Sequence, residues 1–381
     1  MDFKLTKEQS DIRKAAEAFA GGEFEPDIVS DLEKRRVYPG DVFQRACELG
    51  FIGMAVPEEY GGQGLGHLEN TLIFETFCRR DSSLGLVLAL GDLGSELILR
   101  YGTKAQKERF IPPLCRGDSH VSPAYMEEGQ TFMPLRHKTA AIEKDGGYLI
   151  KGAKTFVYHA TLTGPMILFC RLDQASSTHE NVTLLFDKAT DGLSSSDVGD
   201  RVGMRMVPLG DVVLTDLRLP HESLLGGAGD GKGHSDLFLM ESNTRAAAVG
   251  VGIAQGAFDM ALAYASRRRQ FGRKIASFEA IRGRLTNMAT SIELSRLLAY
   301  DASCSLDDKS EDAGLCHMAK MVAAETALDV ARDALHIFGG YGYMLEYRIE
   351  RFYRDASMVD IIGLPGNMSR KMLAGHIVGE I

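Results

Sequence analysis

Between Ser83 and Leu99 the chain reads Ser-Leu-Gly-Leu-Val-Leu-Ala-Leu-Gly-Asp-Leu-Gly-Ser-Glu-Leu-Ile-Leu, an apolar run broken by Asp92 and Glu96. A carboxylate in such a wall costs on the order of several kcal/mol unless it is paired or neutralised, so an acid there needs a reason. Two readings stand open. Desolvation, reinforced by the like charge of Glu96 one helical turn on, would let Asp92 take up protons near neutral pH, as a general base does. Alternatively Asp92 is the N-cap of a helix starting at Leu93, a contribution of about 1 kcal/mol. Other chemistries have less to stand on. The six cysteines are scattered without a C-x-x-C pair and read as reduced structural thiols, not metal ligands. The sequence has no strand-helix alternation and no strand-preceded G-x-G-x-x-G, which disfavours a nicotinamide-binding doubly wound sheet.

The elements that must position these residues fall into three regions. A chain of 381 residues, 45% hydrophobic and 25% charged, has the make-up of a globular protein of two or three domains. Its net charge of -9 disfavours nucleic-acid partners. The N-terminus is charged from Asp2 and lacks the apolar core of a secretion signal. The longest apolar stretch, Leu84–Leu90, is far short of the ~20 residues that span a bilayer, so a cytoplasmic location is expected.

Thr6-x-x-Gln9 is a capping box ahead of Ile12, Ala15, Ala16 and Phe19 at helical spacing. Helical patterns follow at Val42–Leu49, Glu69–Arg79, Leu93–Tyr101 and Lys104–Cys115, making residues 1–118 an N-terminal helical domain. Within residues 119–228, Ala140–Glu143 and Tyr148–Lys151 flank the hairpin signal Asp145-Gly146-Gly147, and Met166–Leu172, Val182–Phe186 and Val212–Leu219 are β-rich. This predicts a middle β domain, a barrel or sandwich. In residues 229–381, Ser235–Ser266, Phe278–Ser305, Ala313–Phe338 and a segment from Ser369 predict a C-terminal four-helix bundle. The fold class is mainly α with a central β domain.

Four strings stand in an order that narrows this further: Pro57-Glu-Glu-Tyr-Gly-Gly-Gln-Gly64, Arg268-Arg-Gln-Phe-Gly272, His336-Ile-Phe-Gly-Gly340 and Arg354-Asp-Ala356. In order and spacing the whole chain resembles the acyl-CoA dehydrogenases. That resemblance implies an FAD flavoprotein, usually a homotetramer, that oxidises an acyl-CoA thioester and passes electrons to an electron-transfer flavoprotein. Lys154-Thr-Phe-Val-Tyr158 matches the family's flavin-covering string, so Phe156, Val157 and Tyr158 are expected at the cofactor, with Tyr158 where a small hydroxyl is usual. Met126-Glu-Glu-Gly-Gln-Thr-Phe132 matches a second string that here lacks its customary Thr and Ser, leaving the backbone around Tyr125 and Met126 as the flavin contacts. Arg268, Gln270, Phe271, His336, Gly339, Gly340 and Asn367 are the further expected cofactor residues. Arg268 offers charge-assisted hydrogen bonds to the diphosphate, against a neighbouring subunit.

The departures from the family bear on the reaction. Members normally carry a Glu that removes the proton beside the thioester carbonyl; at that position this chain has Gly363, in Ile361-Ile-Gly-Leu-Pro-Gly-Asn367. Gly363 keeps a backbone N–H that can hold the carbonyl. Some relatives place the base one residue before an Arg that matches Arg245, and there this chain has Thr244. Thr244 and Arg245 are expected at the substrate, although a solvated or salt-bridged structural role for Arg245 is equally open. With both familiar base positions empty, Asp92 becomes the candidate base. An α,β-unsaturated thioester is acidified at its γ-carbon, so the combination resembles the cyclohex-1-ene-1-carboxyl-CoA dehydrogenases, which form cyclohexa-1,5-diene-1-carboxyl-CoA by 1,4-elimination of the C3 proton and C6 hydride. Ordinary 1,2-dehydrogenation of a cyclic or branched acyl-CoA with a base elsewhere, and a non-catalytic acyl-CoA-binding homologue, remain alternatives.

Overall fold

The computed structural model describes residues 4–129, 136–173, 180–308 and 310–379. It begins with α1 (Lys7–Glu23), where both capping-box hydrogen bonds form between Thr6 and Gln9. α2 (Pro26–Arg35), α3 (Gly40–Glu48), α4 (His67–Arg80), α5 (Ser82–Ala89), α6 (Ser95–Tyr101) and α7 (Lys104–Cys115) complete the helical domain. The apolar run resolves into α5, a turn over residues 90–94, and α6. α5 starts where the Asp81 carboxylate accepts the N–H groups of Ser83 and Leu84. Its residues are all buried.

The β domain is a seven-stranded mixed sheet of β1 (Ser122–Ala124), β2 (Ala140–Lys144), β3 (Gly147–Tyr158), β4 (Pro165–Leu172), β5 (Glu180–Asp187), β6 (Leu193–Asp197) and β7 (Leu209–Pro220). The order is β1-β4-β2-β3-β7-β6, with β5 on the other side of β4. β2 and β3 form the expected hairpin, and Asp145 and Gly146 both take positive φ, as a tight two-residue turn demands. β3 and β7 are longer than their β-rich cores suggest because their pairing runs through bulges. One register shift falls between Lys154 and Val157.

Beyond the sheet come α8 (Gly231–Arg267), the short ribbon β8 (Arg269–Gln270) and β9 (Arg273–Lys274), then α9 (Glu279–Asp307), α10 (Ala313–Phe338), α11 (Ile349–Val359) and α12 (Gly366–Val378). α8 is the axis of the bundle, packed against α4, α9, α10 and α11. Gly252 and Gly256 permit this, since a Cβ at either would lie about 2.5 Å from a carbonyl of α4 or its end (Glu75 O, 2.5 Å; Arg79 O, 2.4 Å). The helical N-terminal region, central sheet and helical C-terminal region are the architecture the sequence predicts. α2, α5 and α11 are additional to the helices it specified.

Candidate active site

The site is built where the sheet meets the bundle. The bulge in β3 gives Phe156 a φ of 53° and turns its ring outward, leaving a bulky apolar side chain 50% exposed. That ring borders a cavity of about 370 Å³ also lined by Tyr125, Met126, Glu127, Tyr158, Phe238, Ile361 and Gly363. Tyr125 packs edge-on to Phe169 at 4.9 Å and against Phe238 at 5.4 Å, a rigid aromatic floor. Strand β3 therefore aims Phe156 and Tyr158 into one space, while Val157 is buried in the sheet core between them. Of the string Met126–Phe132, residues Gln130, Thr131 and Phe132 lie outside the described residues.

Behind this wall sits a charge cluster that the sequence did not single out. The Lys154 ammonium is fully buried and donates to Glu127 Oε1 (2.7 Å) and to the Tyr125 carbonyl (3.1 Å), with His137 Nδ1 at 3.3 Å. Burial alone would raise the Glu127 carboxyl, but Lys154 and the N–H groups of Lys138 and Thr139 outweigh it and hold it below its usual value. Lys154 and Glu127 thus fix the segment after β1, which carries Tyr125 and Met126, to strand β3, which carries Phe156.

Gly363 and Tyr158 both line the cavity, and burial raises the pKa of the Tyr158 hydroxyl while the Gly363 backbone works against that shift. Its φ is 73°, and a Cβ there would lie 2.5 Å from the Ser242 Cβ. The position is therefore closed to any side chain by backbone and by helix α8 together.

Asp92 is 3% exposed and is not part of the wall of that cavity. One carboxylate oxygen is in a very short contact with the Arg245 guanidinium and the other accepts the Gly53 N–H at 3.2 Å. The N-cap reading is corrected: α6 starts at Ser95, its N-cap is Gly94 with φ 93°, and the Asp92 carboxylate is spent on Arg245 and Gly53. Glu96 turns to Arg100 at 2.6 Å. Arg245 is salt-bridged, as one of its two readings held, also binding Glu241 (3.2 Å) and the Ala89 carbonyl (2.8 Å). Glu241, unnoticed in the sequence, accepts the Gly94 N–H and is pushed up to about 8 by burial, with Asp92 and Glu96 adding to the shift and Arg245 opposing it. Thr244 points to the Cys316 sulfur at 3.5 Å. Like Arg245, it is not part of the cavity wall.

The remaining expected cofactor residues lie away from the cavity, on the bundle surface. Arg268 ends α8 with its guanidinium over the Tyr341 ring at 5.3 Å. Gln270 lies in the β8–β9 ribbon, and Phe271 at its tip is 92% exposed. His336 accepts a contact from Arg284 at 3.1 Å, Gly339 and Gly340 have open space where a Cβ would stand, and Asn367 is exposed in the first turn of α12. An outward-turned aromatic, main-chain groups at Tyr125 and Met126, and glycines with free space above them fit a flat flavin with an extended tail.

Three family models match the chain in sequence order: the acyl-CoA dehydrogenase N-terminal domain over residues 6–118, the middle domain over 124–217 and the C-terminal domain over 231–377. Among curated proteins it is 32% identical to a 3-(aryl)acrylate reductase of Clostridium sporogenes, covering 98% of this chain and 99% of that one. It is 29% identical to a subunit of the caffeyl-CoA reductase-Etf complex of Acetobacterium woodii, covering 96% and 97%. The solved structure of butyryl-CoA dehydrogenase from Megasphaera elsdenii superposes with a TM-score of 0.94 at 28% identity, covering 99% of this chain and 100% of that one.

Proposed function

Since the chain belongs to the acyl-CoA dehydrogenase family, FAD-dependent oxidoreductases acting on CH–CH groups, we propose that it works on a conjugated cyclic acyl-CoA, converting cyclohex-1-ene-1-carboxyl-CoA to cyclohexa-1,5-diene-1-carboxyl-CoA. The observation that carries this reading is the closed position at Gly363. With a φ of 73° and Ser242 2.5 Å from any Cβ, the usual proton acceptor beside the carbonyl has no room. Loss of a proton from another carbon fits this closure, and a ring already conjugated to the thioester offers its γ-carbon. Relatives named as reductases of an aryl acrylate and of caffeyl-CoA handle α,β-unsaturated acyl groups, although in the reducing direction.

In this reading Tyr125, Met126, Phe156 and Tyr158 hold the flavin end of the site, which FAD, when bound, equips to accept a hydride. The Gly363 N–H holds the thioester carbonyl and stabilises the charge that spreads onto its oxygen. The C3 proton is assigned to Asp92, which lies outside the cavity wall with its carboxylate held by Arg245 and Gly53 and must turn from that ion pair to reach the ring, while the C6 hydrogen leaves as hydride, so the ring gains one double bond. The relative named as part of an Etf complex supports an electron-transfer flavoprotein as the acceptor, and Phe271 at the exposed ribbon supports a site completed in a homotetramer.

Asp92→Asn tests the assignment. The variant should keep its flavin absorbance and bind cyclohex-1-ene-1-carboxyl-CoA while turnover falls at least a hundredfold, and Glu241→Gln should stay within a few-fold of wild type. Full turnover in Asp92→Asn sinks the assignment, and loss in Glu241→Gln alone moves the proton to Glu241. Mass analysis that finds no diene from the wild-type protein rejects the substrate.

A further inference from the structure

A buried lysine on α10 stands directly behind Gly363. Lys320 is wholly inaccessible, and its ammonium donates to the carbonyl of Ile362 at 2.7 Å and to the carbonyl of Leu364. These are the two carbonyls flanking Gly363. The Ile362 carbonyl also accepts the Leu364 N–H at 3.0 Å, closing a three-residue turn around Gly363 at φ 73°. Glycine adopts this φ without a Cβ clash, so what outside contacts must fix is the turn's orientation.

The geometry of the peptide links makes the clamp directional. In a trans peptide the carbonyl of one residue and the N–H of the next point in opposite directions. No cis bond occurs among the described residues. Holding the Ile362 oxygen toward α10 therefore sends the Gly363 N–H the other way, toward the cavity that Gly363 and Tyr158 both line. A second hold at the Leu364 oxygen prevents the turn from rolling.

The surroundings of Lys320 are otherwise spare. Burial draws its pKa down to about 7, and Asp360, at the start of the same turn, works against that shift. His317, one turn earlier on α10, is occupied with Asn243 at 2.9 Å. A buried ammonium is costly to keep, and here its hydrogen bonds go to the backbone of the turn that carries the carbonyl-binding N–H.

We propose that Lys320 is a positioning residue that aims the Gly363 N–H at the thioester carbonyl of the bound acyl-CoA. This rests on the reading of Gly363 as the carbonyl's donor. It does not depend on which acyl group is bound or on which residue takes the proton.

The test compares two ligands on the FAD-loaded protein: cyclohexane-1-carboxyl-CoA, and the thioether in which its carbonyl is a methylene. Wild type should prefer the thioester, read from the perturbation of the flavin spectrum on titration. Lys320→Met should lose about tenfold on the thioester and less than twofold on the thioether, with kcat on cyclohex-1-ene-1-carboxyl-CoA falling more than its KM rises and Lys320→Arg restoring part of each loss. Equal weakening of both ligands, or an unchanged thioester preference, overturns the proposal. If Lys320→Met fails to fold, Lys320→Gln, which keeps one donor group, is put through the same comparison with the same outcomes deciding. A wild-type protein that binds both ligands alike would instead remove the role of the Gly363 N–H, a separate failure from that of Lys320.

Discussion

Gly363→Ala asks whether the empty base position is closed or merely vacant. Two costs add. A non-glycine residue at φ 73° gives up about 1–2 kcal/mol to the contact between its Cβ and backbone. The new Cβ would also lie 2.5 Å from the Ser242 Cβ, against the ~3.5–4 Å of ordinary carbon contact. Ser242 cannot easily yield, because it is buried in α8 with its hydroxyl bonded to the Phe238 carbonyl at 2.6 Å. Overpacking of this kind costs about 1–3 kcal/mol, so Gly363→Ala should destabilise by roughly 2–5 kcal/mol in total.

The two costs separate in a double-mutant cycle. Ser242→Gly removes the obstructing atom at the expense of about 1 kcal/mol of helix propensity. In that background Gly363→Ala should cost only the backbone share, leaving a coupling of about 1–3 kcal/mol between the sites. Urea denaturation of the four proteins measures it, and turnover of a saturated thioester by Gly363→Glu with and without Ser242→Gly gives the functional counterpart. Gly363→Glu alone should not restore 1,2-dehydrogenation, whereas the double variant has space for the side chain. Additive free energies, or an active Gly363→Glu single variant, would refute the closure.

Two more perturbations bear on the buried charges. Glu241 keeps its proton in the fold up to about pH 8 but ionises from 4.5 when unfolded, so the folded state binds more protons across that window and stability falls as pH rises through it. The loss amounts to roughly 2–3 kcal/mol between about pH 6 and pH 8; Glu241→Gln, which keeps an acceptor for the Gly94 N–H, should flatten that profile, and a variant as pH-dependent as wild type would contradict it. Lys154→Met should cost about 3–5 kcal/mol by leaving Glu127 without its cation, and should lower the flavin retained through gel filtration because Tyr125 and Met126 lose their anchor; full flavin occupancy would count against the anchoring role.

Elements with a local cause were readable in the sequence. α10 runs over the predicted residues Ala313–Phe338, and the Asp145-Gly146 turn needs only the tolerance of those residues for positive φ. α5 was hidden because its eight residues are buried all round, so no polar face gives it a period; its one local signal was Asp81 ahead of Ser82-Ser83, an N-cap. α11 does carry a stripe, Ile349, Phe352, Ala356 and Val359, and a periodicity count over that segment finds it. The extensions of β3 and β7 had no such signal, since bulges arise from pairing between strands more than fifty residues apart.

The site divides along the same line. Phe156 and Tyr158 sit two apart on one strand, a spacing that suggests a common face, but it is the bulge at Phe156 that turns its ring to the cavity Tyr158 lines. Glu127, His137 and Lys154 meet only because β3 pairs with β2 while the segment after β1 passes beneath, and nothing in their spacing announces it. Asp92 was conspicuous by its apolar neighbours, yet its partner Arg245 is 153 residues away, and the same neighbours admitted a base, a cap or an ion pair. Lys320 lies between these cases. Its helical neighbours at three and four residues are Cys316, His317, Ala323 and Ala324, all buried, so the lysine occupies the centre of an inward stripe where a solvated charge has no place. That pattern is a sequence signal for a buried ammonium, one that went unread until the structure showed Lys320 inside. What it withholds is the acceptor, because backbone carbonyls belong to every residue and leave no mark in composition; only the turn at Gly363 supplies that half of the interaction.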